Sequence, residues 1–345
     1  MLRFLVIRPD RIGDAIVTQV AIEALFKTVE CQIDILASNY NYRFYQDNPY
    51  ISNIFYCDIE NKLESKRYYK LVVRPIHYDA VFVLQSRRRL QKLSLLSKCK
   101  YRFGLDLVLD NRDSTNSFQW FMKKVYKFNY VAYDLNQHEA LNMKNVINAG
   151  LSRLKLPQIS TLPEKCNLYS KSIKPITKTT NSVVINISGK TELQRNILPS
   201  MLMSLLLLLK NASKIAIIAM AEDKVIADNM VALLTKHDKK SIADDVDCCD
   251  NRYFAKIDVI SDNDVFVVAN QLNSFEYYIG ADGGLLHIAA ALGLKCVGLY
   301  NENTKNLWYP WTPKCVCLSA KTSYMISPAM VMNGLHELGL LQLDE

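Results

Sequence analysis

Short apolar runs alternate with stretches of helical periodicity along nearly the whole chain. Residues 2–7 form a continuous apolar run, which is typical of a strand buried on both faces. A polar loop containing Gly13 follows, and from 15 to 29 the apolar residues recur at helical spacing. Strand, glycine loop and helix in this order open an α/β unit. Further strands are predicted at 31–37, 54–56, 78–84 and 100–104, and helices within 39–50 and at 85–98 and 138–151.

Two segments break this alternation. Residues 105–137 show no clear period and are interpreted as an irregular, aromatic-rich excursion. Residues 157–181 mix Pro, Ser, Thr and Lys, which is typical of a linker. The alternation then restarts, with strands predicted at 183–187, 214–220, 257–260, 278–279, 296–300 and 314–318, and helices at 199–210, 222–236, 263–272, 285–292 and 328–340.

The pattern predicts an α/β fold of two doubly wound domains that face a cleft. We place the N-terminal domain at 1–160, the linker at 161–181 and the C-terminal domain at 182–325. The remaining 326–345 forms a C-terminal helix, for which packing back on the N-terminal domain is one option. A chain of 345 residues has the length of two average domains.

Composition narrows the classes of partner and compartment. The formal charge of +8 indicates an acidic partner, such as a nucleic acid, an anionic membrane surface or a phosphorylated substrate. The nine cysteines are irregularly spaced without a CxxC pair, which favours a reducing cytoplasm over a disulfide framework or a zinc site. We expect no signal peptide and no membrane-spanning helix, since the longest apolar helix candidate, 201–209, is too short.

The stretch 278–300 carries the clearest chemical signal. A buried strand runs into a glycine turn at 280–284, and an apolar-striped helix opens at once. Free backbone N–H groups and the helix dipole favour an anion there, and Gly283 and Gly284 let a phosphate approach. Asp282 stands beside this turn as a hydroxyl acceptor, and His287 follows near the same mouth. The alternative is that the glycines serve an ordinary turn, that Asp282 caps the helix and that His287 packs in the core.

Two motifs together resemble a known family. The loop 8–14 (RPDRIGD) and the segment 282–293 (DGGLLHIAAALG) resemble the ADP-heptose:lipopolysaccharide heptosyltransferases, glycosyltransferase family nine. Weaker matches are 78–88, 102–104 and the helix opening at 138–139. The resemblance implies a GT-B fold of two Rossmann-like domains, the first binding the acceptor and the second the nucleotide sugar. It also implies inverting, metal-independent transfer of heptose from ADP-heptose to the lipopolysaccharide inner core, at the inner face of the inner membrane.

The sequence departs from the family at two places. Residues 282–284 read Asp-Gly-Gly where the family usually has Asp-Thr-Gly, so a hydroxyl donor is lost while the backbone amide stays. The family's lysine after the first strand of the second domain has no direct counterpart. Arg195 is our first choice for that position and Lys190 the second. The identity of the donor sugar is therefore less constrained than the fold.

The predicted reaction needs a base for the acceptor proton and positive groups for the leaving diphosphate. Asp14, which matches the family's catalytic aspartate, is the candidate base; its alternative role is a helix N-cap, and Asp10, interpreted as a loop residue, is the alternative carboxylate. The diphosphate would lie on the Gly283 and Gly284 amides with the charge of Arg195 or Lys190. Ser188 and Gly189 end a strand and are assigned either to phosphate or ribose or to an ordinary turn.

Acceptor contacts are predicted from Gly13 and from the basic run at Arg87 and Arg88, which suits the carboxylates and phosphates of an inner core. The alternative is a solvated helix face. No cofactor and no metal site are expected, because no carboxylate pair has metal-ligand spacing. Competing functions are a family-nine enzyme with another nucleotide sugar, a silent sugar-nucleotide sensor, and a basic nucleic-acid-binding protein. The last lacks a recognition motif, so nucleic acid is not an expected partner.

Overall fold

The computed structural model describes the chain except residues 57, 59–60, 107–112, 190–196, 198, 242–256, 303, 322–324 and 341–345. Side chains at 62, 113–116 and 235–241 are likewise outside the description. The chain divides into two compact units, Met1–Ser170 and Lys171–Glu345. The division falls within the segment 161–181, whose two parts pack on different units. Tyr169 bonds Glu23 of the first unit at 3.0 Å, and Lys174 N donates to Asn270 of the second at 2.9 Å.

The first unit holds a parallel six-stranded sheet in the order β3-β2-β1-β4-β5-β6. Its strands are β1 Leu2–Ile7, β2 Cys31–Ala37, β3 Asn53–Tyr56, β4 His77–Val83, β5 Lys98–Leu105 and β6 Asn129–Val131. Its helices are α1 Ile12–Thr28, α2 Tyr42–Tyr45, α3 Lys62–Tyr68 with a π-helical turn Tyr69–Val73, α4 Arg88–Ser94, α5 Asp113–Tyr126 and α6 Glu139–Arg153.

The second unit holds another parallel six-stranded sheet, in the order β12-β11-β10-β7-β8-β9. Its strands are β7 Ser182–Asn186, β8 Lys214–Ile218, β9 Ile257–Ile260, β10 Tyr277–Ala281, β11 Lys295–Asn301 and β12 Cys315–Ala320. Its helices are α7 Pro199–Leu208, α8 Lys224–Ser241, α9 Val265–Leu272, α10 Gly284–Ala291, α11 Lys305–Trp308 and α12 Pro328–Glu337.

Both sheets have the same topology. Numbered within its own unit, each follows the doubly wound order 3-2-1-4-5-6, so the winding direction reverses between the first and fourth strands. In the first unit this switch point lies between β1 and β4, and in the second between β7 and β10. Loops that leave these strands at their carboxyl ends diverge and open a crevice at the sheet edge. The predicted motif loops after β1 and β10 therefore begin at the switch points of their sheets.

The final helix packs within the second unit. Val331 and Leu335 of α12 lie in the hydrophobic core of that unit together with Leu202 of α7. A Cβ added at Gly334 would lie 3.3 Å from Val316 of β12, so helix and sheet are closely apposed there. Helix α12 therefore belongs to the hydrophobic core of the second unit.

Three local predictions differ from the structure. The segment 105–137 is not wholly irregular, since it contains α5 and β6. Helix α3 is absent from the prediction, because among its described side chains only that of Ser65 is buried, so the segment shows no apolar stripe. The predicted helix 85–98 is shorter, because the chain already enters β5 at Lys98. No helix among the described residues is long and apolar enough to cross a membrane.

Candidate functional site

Arg8 is the centre of a buried charge cluster in the first unit. It directly follows β1, and only 2% of its surface is exposed. Its guanidinium contacts three carboxylates, Asp10 at 3.1 Å, Asp14 at 3.0 Å and Glu139 at 2.9 Å. It also donates to the backbone oxygen of Leu84, which follows β4. We call Arg8, Asp10, Asp14 and Glu139 the Arg8 cluster; it ties both sides of the switch point to α1 and α6.

Asp14 is the part of this cluster that reaches solvent. It is the third residue of α1, and 14% of its side chain is exposed. One carboxylate oxygen accepts from Arg8, and the other accepts from the backbone N–H of Arg11 at 3.2 Å. The N-cap itself is Arg11, and Asp14 serves the helix start from the third position, where its carboxylate accepts from the N-cap N–H in a capping box. Each oxygen keeps a further lone pair, so Asp14 is oriented and can still accept a proton.

Asp10 and Glu139 are the two carboxylates of the cluster whose charged forms are disfavoured by burial. Burial raises the pKa of Asp10 to about 7, against the lowering effect of Arg8 and with a further increase from the charge of Asp14. Burial also raises the pKa of Glu139, although Arg8 and the hydroxyl of Tyr133, 2.7 Å away, favour its charged form. Asp10 does lie in a loop as predicted, but it is buried. This burial favours the protonated form of Asp10.

Arg8 itself stays charged. Burial alone would lower its pKa, but the three neighbouring carboxylates raise it well above its ordinary value. One guanidinium cannot neutralise three carboxylates, so the cluster is negatively charged when all three are ionised, and a bound proton reduces that charge. The orphaned Oδ1 of Asp10, which has no hydrogen-bond partner among the described residues, is where such a proton fits.

The predicted acceptor residues lie at the same edge of the first sheet. Gly13 is buried in the first turn of α1. Arg87 is the exposed N-cap of α4, a few residues beyond the carboxyl end of β4. The guanidinium of Arg88 lies 5.4 Å from the ring centroid of Phe118 and is half-buried. This basic run is thus partly exposed, and Arg87 is its most exposed member.

The predicted phosphate turn has the expected geometry in the second unit. Asp282 continues the β10 ladder by donating its N–H to Leu299 at 3.0 Å. Helix α10 begins at Gly284, and its N-cap is Gly283, which has no side chain with which to cap the helix. Residues 282–284 are half-exposed. The alternative role of Asp282 as the N-cap is wrong, and the helix start keeps backbone donors available for an anion.

Glycine is not required sterically at position 283. Its φ of 173° is extended, and a Cβ there would meet nothing closer than a backbone oxygen at 3.8 Å. By contrast, a Cβ at Gly280 would lie 2.6 Å from the Tyr278 hydroxyl, and Gly293 ends α10 with φ +81°. The turn therefore has room for the side chain that the resembled family usually carries at 283.

The remaining residues predicted to bind the donor differ in their burial and in their hydrogen bonds. His287 is buried on α10. Ser188 follows β7, and its Oγ accepts from the N–H of Met220 at 2.7 Å, so this hydroxyl joins the loops that leave β7 and β8 at their carboxyl ends. Gly189 beside it is half-exposed. Lys190 and Arg195 lie outside the described residues.

The sequence interpretation missed the roles of Arg8, Glu139 and Tyr133. The sequence did indicate a role for Arg8, because a charged residue directly after a fully apolar strand is buried and must be paired with an opposite charge. Its partner Glu139 lies 131 positions along the chain, at the start of α6. Among the described residues, no group of three or more His, Cys, Asp or Glu side chains is arranged to hold a metal ion.

Comparison with known proteins supports the predicted relationship. The model of glycosyltransferase family 9 (heptosyltransferase) matches residues 231–332. No curated protein sequence matches the chain. Among solved structures, E. coli heptosyltransferase WaaC with ADP is similar over 98% of this chain and 100% of its own, with 13% identity and a TM-score of 0.74.

Two other solved structures show the same likeness. A family 9 glycosyl transferase from Veillonella parvula covers 98% of this chain and 97% of its own, with 16% identity and a TM-score of 0.72. E. coli ADP-heptose lps heptosyltransferase II covers 98% of each chain, with 14% identity and a TM-score of 0.66. The predicted GT-B fold, the resemblance to family 9 and the assignment as a glycosyltransferase are confirmed.

Proposed function

We propose that this glycosyltransferase is an inverting, metal-independent enzyme that moves heptose from ADP-heptose to the lipopolysaccharide inner core. The proposal rests on the family 9 match and on the candidate sites at the switch points of the two sheets. The observation that carries the proposal is that the candidate base and the candidate phosphate turn each lie at the switch point of a doubly wound sheet. Ligands of such sheets bind at that point. The proposed location is the cytoplasm, with peripheral contact to the inner face of the inner membrane.

In the first unit, Asp14 is the proposed base. The acceptor hydroxyl gives its proton to the Asp14 carboxylate while its oxygen forms a bond to the anomeric carbon. The bond from that carbon to the diphosphate breaks, and ADP leaves with the electron pair on the opposite face. The bonds from Arg8 and from the Arg11 N–H hold the carboxylate in one orientation, which favours this in-line geometry. Arg87 and Arg88 would bind acidic groups of the acceptor.

In the second unit, the diphosphate would lie at the start of α10. The backbone N–H groups of Gly283 and Gly284 and the helix dipole stabilise negative charge that grows as the leaving group departs. Asp282 would accept hydroxyls of the donor. A full positive charge from Arg195 or Lys190 is part of the proposal and would take the place of a divalent cation; no other cofactor is involved.

The central test is the Asp14→Asn variant. We expect its turnover with ADP-heptose and a deacylated inner-core acceptor to fall by about 10²–10⁴, the range for loss of a general base. Its dissociation constant for ADP should stay within about twofold, because the nucleotide binds the other unit. The matched control is Asp134→Asn, an exposed aspartate of the same unit. Full turnover by Asp14→Asn would exclude Asp14 as the base.

The donor and the stereochemistry need separate measurements. Activity should persist in a chelator, and NMR of the product should show the anomeric configuration inverted relative to the donor. A second candidate, favoured by Gly283 in place of the family's usual Thr, is a related enzyme that uses another nucleotide sugar. A donor panel read by mass spectrometry distinguishes the two. Transfer from another nucleotide sugar with none from ADP-heptose would replace the heptosyl assignment and keep the mechanism.

A further inference from the structure

Several large apolar side chains of the first unit are exposed on two helices and on the π-helical turn that precedes β4. Helices α3 and α5 and the π-helical turn cover the same side of the sheet, where their inward residues join one core cluster. Their outward residues include Leu63, Leu71, Trp120 and Val125, which are 83%, 67%, 61% and 55% exposed. Val72, Phe121 and Tyr126 are also exposed there. We call the exposed residues of 63–74 and 117–127 the outer helical face. A cluster of this kind marks an interaction surface more often than chance exposure.

The aromatic residues of α5 indicate the kind of surface. Gln119 and Met122 point into the unit, while Trp120, Phe121 and Tyr126 point outward. The rings of Phe121 and Tyr126 pack edge to face at 5.6 Å, so they form one patch. Trp, Tyr and Phe on an amphipathic helix are the residues that settle at the level of lipid headgroups.

The charge of the outer helical face agrees with an anionic bilayer. Segment 63–74 contains four Lys and Arg against a single Glu, and segment 117–127 contains three Lys and no acid. Lys66, Lys70, Lys123 and Lys124 are exposed beside the apolar residues. Lysines in this position extend their charged ends to anionic headgroups while their stems lie on apolar surface. A second copy of the chain would bring like charges together, which argues against self-association through this face.

The face is also connected to the edge of the sheet where Asp14 lies. Helix α4 starts at that edge and contacts α5, since Arg88 and Lys92 both lie 5.4 Å from the Phe118 ring centroid. A surface that rests on α5 thus lies next to the basic start of α4. An acceptor held in a bilayer would meet the protein on this side.

We infer that the first unit docks on an anionic phospholipid bilayer through the outer helical face, with the aromatic residues of α5 inserted at headgroup level and the surrounding lysines on the lipid phosphates. The inference extends the proposed function to the side from which a lipid-borne acceptor arrives. Its test needs no sugar transfer, so the two can fail separately.

The test is sedimentation of the full chain with vesicles of phosphatidylcholine containing about 30 mol% phosphatidylglycerol. Wild type should bind these vesicles and bind pure phosphatidylcholine vesicles at least about tenfold more weakly. The variant W120S/F121S should lose about tenfold in affinity for the anionic vesicles. The variant K123E/K124E should lose a similar factor and show a weaker dependence on salt. The control L207S/L208S removes equally exposed leucines of α7 in the second unit and should bind as wild type does.

The outcomes separate the bilayer from other occupants. Circular dichroism and ADP binding establish that each variant is folded. If W120S/F121S does not fold, the comparison of K123E/K124E with wild type decides the test. Wild type that ignores anionic vesicles overturns the inference, as does equal loss in the L207S/L208S control. A concentration-dependent dimer that W120S/F121S abolishes, with vesicle binding unchanged, would make the face an interface between copies instead. Vesicle binding without heptosyl transfer would leave the surface standing and remove the proposed function alone.

Discussion

Replacement of Asp10 by Asn tests the electrostatics of the Arg8 cluster most directly. The substitution keeps the size of the side chain and its contact with Arg8, but it removes the charge that burial disfavours. The pKa of Asp10 rises from 3.8 to about 7 in the folded protein, a difference of about three units. At 1.36 kcal/mol per unit, ionising this carboxyl costs the fold about 4 kcal/mol once the pH exceeds 7.

The sign follows from proton linkage. A carboxyl with a raised folded-state pKa contributes its full stability below the unfolded value of 3.8 and loses it as the pH rises towards 7. Wild type should therefore lose stability relative to Asp10→Asn over that window. More than half of this loss falls between pH 5 and pH 8, because the unfolded pKa lies below that window and the folded pKa lies within it. The stability difference between wild type and Asp10→Asn is measured at both pH values, and the change in that difference is the quantity tested. Any pH-independent change in packing that the Asn introduces cancels in this double difference.

The assay is urea unfolding followed by pulsed hydrogen exchange of peptides from β1 and α1, which reports the first unit alone. Asp134→Asn, at an exposed position, is the control and should show a double difference near zero. If Asp10→Asn and wild type keep the same stability difference at pH 5 and pH 8, Asp10 is not held protonated by its surroundings. The account of the cluster as a proton-binding site would then be wrong.

Two further substitutions test the site geometry. Gly280→Ala should destabilise the second unit by about 1–3 kcal/mol, because its Cβ would meet the Tyr278 hydroxyl at 2.6 Å, whereas Gly283→Ala should change stability by less than about 1 kcal/mol in the same urea titration. Equal losses at the two positions would contradict the open turn. Tyr133→Phe removes the 2.7 Å hydrogen bond to buried Glu139 and should cost about 1.5–3 kcal/mol. This hydrogen bond favours the ionised form of Glu139 and so opposes the rise in pKa that burial causes. The loss should therefore be largest at high pH and shrink in acid, and a loss that grows on acidification would refute the assigned contact.

The order of strands and helices was largely predictable from the chain itself. Parallel strands covered on both faces need continuous apolar runs, and such runs mark β1, β7 and β10 without any knowledge of the tertiary structure. The glycine stop after α10 and the Ser-Pro start of α12 are equally local signals. Helix α5 was missed because its outward positions carry Trp120, Phe121 and Val125, so its apolar residues do not mark one inward side. The helical spacing of the apolar residues of α5 is therefore obscured by the exposed apolar residues that form part of the inferred membrane contact.

The candidate base was found from the sequence, but its surroundings were not. Asp14 is the candidate because it follows Gly13 in the loop after the first strand and because that loop resembles the family nine motif. Its orientation depends on Arg8, and the charge of Arg8 is balanced by Glu139, which is 131 positions away and comes near only because α6 packs beside β4 and β5. The raised pKa of Asp10 likewise needs burial by several elements at once. Local pattern therefore determines which groups are present, whereas desolvation and charge pairing are properties of the folded neighbourhood, and only the tertiary structure decides them.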